Sequence, residues 1–136
     1  MIMPDMRKHI QVACAIIEHD GLVLAAQRSS TMSLPLKWEF PGGKVEPGES
    51  PNACLQREVR EELDIDIRII APLPPSTHHY AEFSVTLHPF RCVIVAGEIK
   101  LHEHCAIRWL PPLEMPDLDW AAADLPVIED YLLKSG

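Results

Sequence analysis

The chain has 136 residues, 47% hydrophobic and 24% charged, with a formal net charge of −8. That length suits one domain with a real core, and the acidic balance argues against the basic footprint a polynucleotide-binding surface needs. It leaves room for a nucleotide whose phosphates a metal neutralises.

No apolar run reaches the roughly 20 residues that span a bilayer. The opening MIMPDMRKHI lacks the apolar core of a secretory signal, so a cytoplasmic location is expected. Residues 10–18 (IQVACAIIE) and 22–27 (LVLAAQ) are apolar runs around Asp20-Gly21, the pattern of a β-hairpin. Arg28 closes the second run, as a surface charge at a strand end or as a site residue. Residues 29–37 form a polar, proline-bearing loop. Trp38-Glu39-Phe40 is a short strand feeding the Pro41-Gly42-Gly43 turn, and Pro47-Gly48 marks a second turn. Ser50 is a good N-cap and Pro51 fits a first helical position, so a helix is predicted over 51–63, with Leu55 and Val59 among its apolar residues.

Strands are expected at 66–71, at 76–80 after the break at Pro72, Pro74 and Pro75, at 83–96 with Pro89 interrupting or bulging it, and at 107–110. Asp124 is an N-cap candidate for a last helix over 125–133. Strands, helix, strands and helix in this order imply an α+β fold, a mixed sheet with helices packed on its faces. Cys14, Cys54, Cys92 and Cys105 form no CxxC pair, so they read as small hydrophobes in a reducing compartment.

The chemistry concentrates between Trp38 and Ile65. Glu58 with Glu61, and Glu58 with Glu62, are helical neighbours, and like charges so spaced cost a helix roughly 0.2–0.5 kcal/mol per pair. Such a trio is either a solvated acidic face or a cation site; hard oxygen ligands suit magnesium. The glycines just upstream let the backbone approach a ligand closely, which favours the cation site.

The stretch resembles the Nudix box, G-x5-E-x7-R-E-U-x-E-E-x-G-U with U aliphatic, on Gly43, Glu49, Arg57, Glu58, Val59, Glu61, Glu62 and Ile65. Asp64 stands where the family has glycine; aspartate tolerates the left-handed turn that a helix stop needs. The flanking WEFPGGKVEPGE looks like the MutT branch. The resemblance implies one Nudix domain over 1–136 and an α/β/α sandwich with a mixed sheet. It also implies Mg2+ (Mn2+ substituting) and hydrolysis of a nucleoside triphosphate to monophosphate and pyrophosphate, possible substrates being damaged or pyrimidine nucleotides.

On that resemblance Glu58, Glu61, Glu62 and Glu103, with the Gly42 carbonyl, bind metal. Glu58, or failing that Glu103, is the base, and Arg57 orients Glu58. Arg28, Phe40, Lys44 and Asp124 are the substrate-binding candidates. Asp124 is either a helix cap or a reader of the base edge; ADLPVIE resembles the ADxPxxE of relatives acting on pyrimidine triphosphates. Phe40 packs either on the base or in the core. His102 and His104 are read as structural or peripheral: on a strand they point away from Glu103, and histidine suits softer metals. His78-His79-Tyr80 is either a base pocket or a solvated strand. The partner is a small nucleotide, and the chain is expected to be a monomer or homodimer. The rival readings are a Nudix hydrolase of a non-nucleotide diphosphate and a catalytically silent Nudix module that senses a ligand or binds a partner.

Overall fold

A computed structural model describes residues 8–135; residues 1–7, the greater part of the segment read as lacking a signal core, and Gly136 lie outside the described residues. The elements are β1 Lys8–His19, β2 Leu22–Gln27, β3 Trp38–Glu39, β4 Gly42–Lys44, α1 Pro51–Leu63, β5 Asp66–Pro72, β6 Ser76–His79, β7 Phe83–Ala96, β8 Ala106–Leu110 and α2 Leu125–Ser135. Two 3-10 turns, Pro112–Asp117 and Ala122–Asp124, precede α2. Among the described residues no helix is long and apolar enough to cross a membrane.

The sheet is mixed. β1 runs parallel to β7, with Lys8 opposite Phe83 and Ile17 opposite Cys92, while the remaining pairings are antiparallel. Asp20 (φ 51°) and Gly21 (φ 78°) both take positive φ, the conformation a two-residue hairpin loop needs to match strand twist. β1 pairs with β2 only beside that turn, at Glu18 and His19. Earlier, at Val12, Ala13 and Cys14, it pairs with β4 instead. One strand therefore carries the glycine turn on its first half and the hairpin on its last.

Alternation along β1 builds two cores. Cys14 and Ile16 face one cluster with Met115, Val127, Ile128 and Tyr131, the layer of the 3-10 turns and α2. Ala13, Ala15 and Ile17 face the other, with Cys54, Leu55, Val59 and Leu63 of α1. Successive side chains of a strand point to opposite faces, so a run of apolar residues buried on both sides requires helices on both sides. This is the three-layer α/β/α arrangement.

α1 follows its end signals. The Ser50 hydroxyl accepts the Ala53 N–H at 3.1 Å, and Asp64 closes the helix at φ 62°, ψ 27°, its N–H reaching the Arg60 carbonyl. Three details differ from the sequence reading. The Pro41-Gly42-Gly43 turn includes a strand, β4, because Gly42 and Gly43 lie against β1. β7 passes unbroken through Pro89, and the two register shifts of the β5–β7 pair fall elsewhere, between Asp66 and Ile67 and between Ile69 and Ala71. Residues 101–105 are loop, not strand, which changes where His104 points.

Candidate active site

A cavity of about 650 Å³ opens between the β4 turn, α1, the 101–105 loop and the last 3-10 turn. Its polar lining includes Arg28, Glu39, Glu58, Glu62, Glu103 and His104; its apolar lining includes Ile10, Val12, Phe83, Val85 and Leu87, and Tyr80 and Asp124 border it too. The box and the residues far from it in sequence therefore share one space.

Gly43 lies directly beneath Glu58. A Cβ there would stand 2.3 Å from Glu58 Cδ, so only a glycine lets the carboxylate rest on the turn. Arg57 fixes its orientation. Its guanidinium donates two bonds to Glu49, at 2.8 and 2.9 Å, one to Glu58 Oε1 at 2.8 Å and a longer one to Glu61 Oε2 at 3.4 Å. A forked, charge-assisted pair of this kind is both strong and directional. The Arg57 bonds hold the Glu49 carboxyl down at about 2, whereas burial raises that of Glu58.

Glu62 is the buried member, its side chain only 4% exposed. Burial, with Glu39, Glu103 and Glu58 adding repulsion, pushes its carboxyl up to about 9, although the Gly42 N–H offsets part of this. Its Oε2 and His104 Nδ1 are buried without a hydrogen-bond partner among the described residues. A buried carboxylate oxygen without a donor carries a desolvation penalty, which a cation removes. This orphaned oxygen, with the Glu58 and Glu103 carboxylates lining the same cavity, fits a hard divalent ion. Glu58, Glu62 and Glu103 would hold it, completed by water and phosphate.

The other sequence candidates fall as follows. Glu103 and Lys44 line the cavity; Gly42 does too, with its N–H on Glu62. Glu61 does not: its carboxylate is 58% exposed, on the outer side of Arg57. Arg28 reaches the cavity but spends donors on Ser33, at its carbonyl (2.6 Å) and hydroxyl (3.0 Å), and on Glu39 at 2.7 Å. Phe40 is a core residue, tilted against Trp120 with ring centroids 4.9 Å apart, while also touching the cavity. Asp124 is tied to the β3 end by its side chain: its Oδ1 accepts the Phe40 N–H at 3.3 Å, and burial, with Glu39 nearby, raises its carboxyl well above the usual range.

Two residues escaped the sequence reading. Glu39 was taken only as part of a strand. His104 was read as structural or peripheral; its ring is 1% exposed and stands between Glu39 (Nε2 to Oε2, 2.8 Å) and Glu62 (Nδ1 to Oε2, 3.6 Å). His102 does turn away, toward Asp64 at 3.4 Å. On a strand His104 would have shared the face of His102; the bend at 102–103 separates them.

A model of the NUDIX domain matches residues 7–131. The chain belongs to the Nudix family. It is 38% identical to a CTP pyrophosphohydrolase of Escherichia coli K12, over 92% of this chain and 93% of that one. It is 35% identical to an 8-oxo-dGTP diphosphatase of Proteus vulgaris, over 65% of this chain and 79% of that one. Among solved structures it resembles the E. coli ORF135 protein, with a TM-score of 0.83, 36% identity and coverage of 96% and 93% of the two chains. It also resembles a MutT Nudix hydrolase of methicillin-resistant Staphylococcus aureus 252, with a TM-score of 0.77, 41% identity and coverage of 96% and 100%. The Nudix box of this chain is thus the segment from Gly43 to Ile65, with Asp64 in αL geometry in place of the second glycine.

Proposed function

We propose that this Nudix hydrolase cleaves a nucleoside or deoxynucleoside triphosphate between its α and β phosphates, giving the monophosphate and pyrophosphate. Mg2+ is the cofactor and Mn2+ a substitute. The observation that carries this reading is the single cavity in which the carboxylates on the glycine turn meet an apolar slot bordered by Asp124. Phosphates belong beside the carboxylates and a base beside the apolar residues. The named activities of the relatives, on CTP and on 8-oxo-dGTP, point to pyrimidine or oxidised purine triphosphates. The intact carboxylate set speaks against a silent ligand-sensing module.

When bound, the cation neutralises phosphate charge and makes water more acidic. The residues do the rest. Arg57 holds Glu58 Oε1, leaving Oε2 to take a proton from the attacking water, general-base work that a carboxylate raised above its usual range does well at neutral pH. The water oxygen bonds to phosphorus, the bridging P–O bond breaks, and the electron pair leaves with pyrophosphate. Lys44 and Arg28, at the cavity wall, bind phosphate oxygens. Asp124 stands where a base edge would reach its carboxyl.

A pyrophosphate-release screen over normal and oxidised nucleoside triphosphates with Mg2+, its products resolved by ion exchange, tests this. Monophosphate and pyrophosphate from at least one of them are expected. Orthophosphate and a nucleoside diphosphate as first products would overturn it.

A further inference from the structure

We propose that His104 is a positioning residue that sets the direction of the Glu62 carboxylate toward the cation and ties it to the substrate-facing wall. The inference rests on the proposed metal site and adds a residue to it.

The geometry is a chain of contacts. Ser33, in the loop after β2, receives two bonds from the Arg28 guanidinium. The same guanidinium donates to Glu39 Oε1, and the other oxygen of Glu39 meets His104 Nε2 at 2.8 Å. Because Glu39 is already held by Arg28, it behaves as an acceptor and takes Nε2–H. That fixes the plane of the ring. A fixed ring must present Nδ1 to Glu62 Oε2, 3.6 Å away. Both facing atoms are buried and lack hydrogen-bond partners among the described residues. The other side of the Glu62 carboxylate is held by the Gly42 N–H. Glu62 is thus bracketed by one backbone donor and, by contact rather than a hydrogen bond, one imidazole, so the ring and the glycine turn limit how it faces the cavity. The backbone adds a further tie: the His102 N–H bonds the Glu62 carbonyl at 3.2 Å, keeping the loop against the end of α1.

His104 is inside the wall rather than in the open space, so its influence passes through two carboxylates on different segments. Groups that orient a metal-binding side chain commonly change metal affinity 10–100-fold when removed. His104 differs from a filler because its two nitrogens have different neighbours, and two amide replacements separate them. In a histidine-to-glutamine change the amide occupies the place of Nε2; in a histidine-to-asparagine change it occupies the place of Nδ1. His104→Gln therefore keeps Glu39 and abandons Glu62. His104→Asn keeps Glu62 and abandons Glu39.

The probe is Mn2+ alone, added to EDTA-stripped protein without nucleotide, with free ion followed by electron paramagnetic resonance. His104→Gln is expected to weaken Mn2+ binding by about tenfold or more, with KM at saturating Mn2+ little changed. His104→Asn is expected to keep Mn2+ binding near that of the unaltered protein and to raise KM, because the Ser33–Arg28–Glu39 chain loses its last member. Equal Mn2+ dissociation constants for the unaltered protein and His104→Gln, with Glu62→Gln clearly weaker, would overturn the proposal. Weak binding that Glu62→Gln does not alter would instead overturn the metal site on which it rests. Should His104→Gln fail to fold, the unaltered protein still decides: the ring nitrogen signals of His104 must move during a Mg2+ titration with the same dissociation constant as the metal. Ring signals that stay still through saturation refute the role.

Discussion

Gly43→Ala separates the chemistry from the fold. The new Cβ would stand 2.3 Å from Glu58 Cδ and 2.4 Å from its Oε2, whereas ordinary contact begins near 3.4 Å. The carboxylate must therefore retreat by about 1 Å, and it can, because the obstacle is the end of a flexible side chain. Its 2.8 Å bond from Arg57 is then lost or bent. A misplacement of about 1 Å at a reacting group is worth about 100-fold in rate, so kcat should fall by about that factor while the thermal midpoint moves little. Gly42→Ala is the contrast. Its Cβ would meet the Ala13 carbonyl oxygen at 2.0 Å, a backbone atom that cannot step aside, so β4 must part from β1 and stability itself must drop. Steady-state kinetics with saturating Mg2+, alongside thermal unfolding, measures both. A Gly43→Ala protein with unaltered kcat would show that Glu58 does not need its place on the turn, and its role as base would fall with that.

Glu62→Gln should abolish most turnover and most Mg2+ stabilisation while keeping the far-ultraviolet circular dichroism; a fully active variant would remove Glu62 from the site. The same variant tests the pH dependence. The folded Glu62 carboxyl sits at about 9 against roughly 4.3 when unfolded, so the folded chain keeps an extra proton between those values. Stability from this group is full below about pH 4 and is lost as pH rises toward 9. In EDTA, the midpoint of the unaltered protein minus that of Glu62→Gln should decline from pH 5 to 9, and a flat difference would refute the assignment. Arg57→Lys, which cannot make the forked bond to Glu49, should lower kcat about tenfold with KM nearly constant; a pure KM effect would mean that Arg57 touches substrate instead. Asp124→Asn keeps an oxygen for the Phe40 N–H but gains a donor, so it should change the kcat/KM ratio between cytosine and oxidised-guanine triphosphates by more than about tenfold at similar stability. An unchanged ratio would place Asp124 outside the base pocket.

The parts of the site that sequence made legible are those built from neighbours in the chain. Ser50, Pro51 and Asp64 delimit α1 through local hydrogen bonds, and the Glu58–Glu62 spacing follows from helical geometry alone. β1 was legible as a strand, but that it buries both faces became clear only with the two helical layers in place. Glu39 and His104 lie 65 positions apart, and no spacing rule joins them. Treating residues 102–104 as extended gave His104 the wrong direction, because a single bend there reverses which side chain faces α1. Asp124 stayed open between cap and base reader for a related reason. A polar residue ahead of a helix is a cap by local rules, but the Phe40 N–H, 84 positions away, claims the carboxylate first.

The electrostatics also give the order in which the parts act. Glu39, Glu58, Glu62 and Glu103 line the cavity in a chain of net charge −8, while Arg57 faces Glu49 and Glu58 and Arg28 faces Glu39. A triphosphate entering the cavity alone meets carboxylates whose repulsion is strong where water is excluded. Without a cation the chain relieves this repulsion by keeping the proton on Glu62, its buried member. A divalent ion held by Glu58, Glu62 and Glu103 would compete with that proton and would make the cavity attractive to phosphate, so metal and nucleotide would each strengthen the binding of the other, by linkage to the same extent. On the proposed function, the carboxylates that would exclude a triphosphate are therefore the groups that would make its binding conditional on metal, and Glu62, buried and short of a donor, is where that condition would be set.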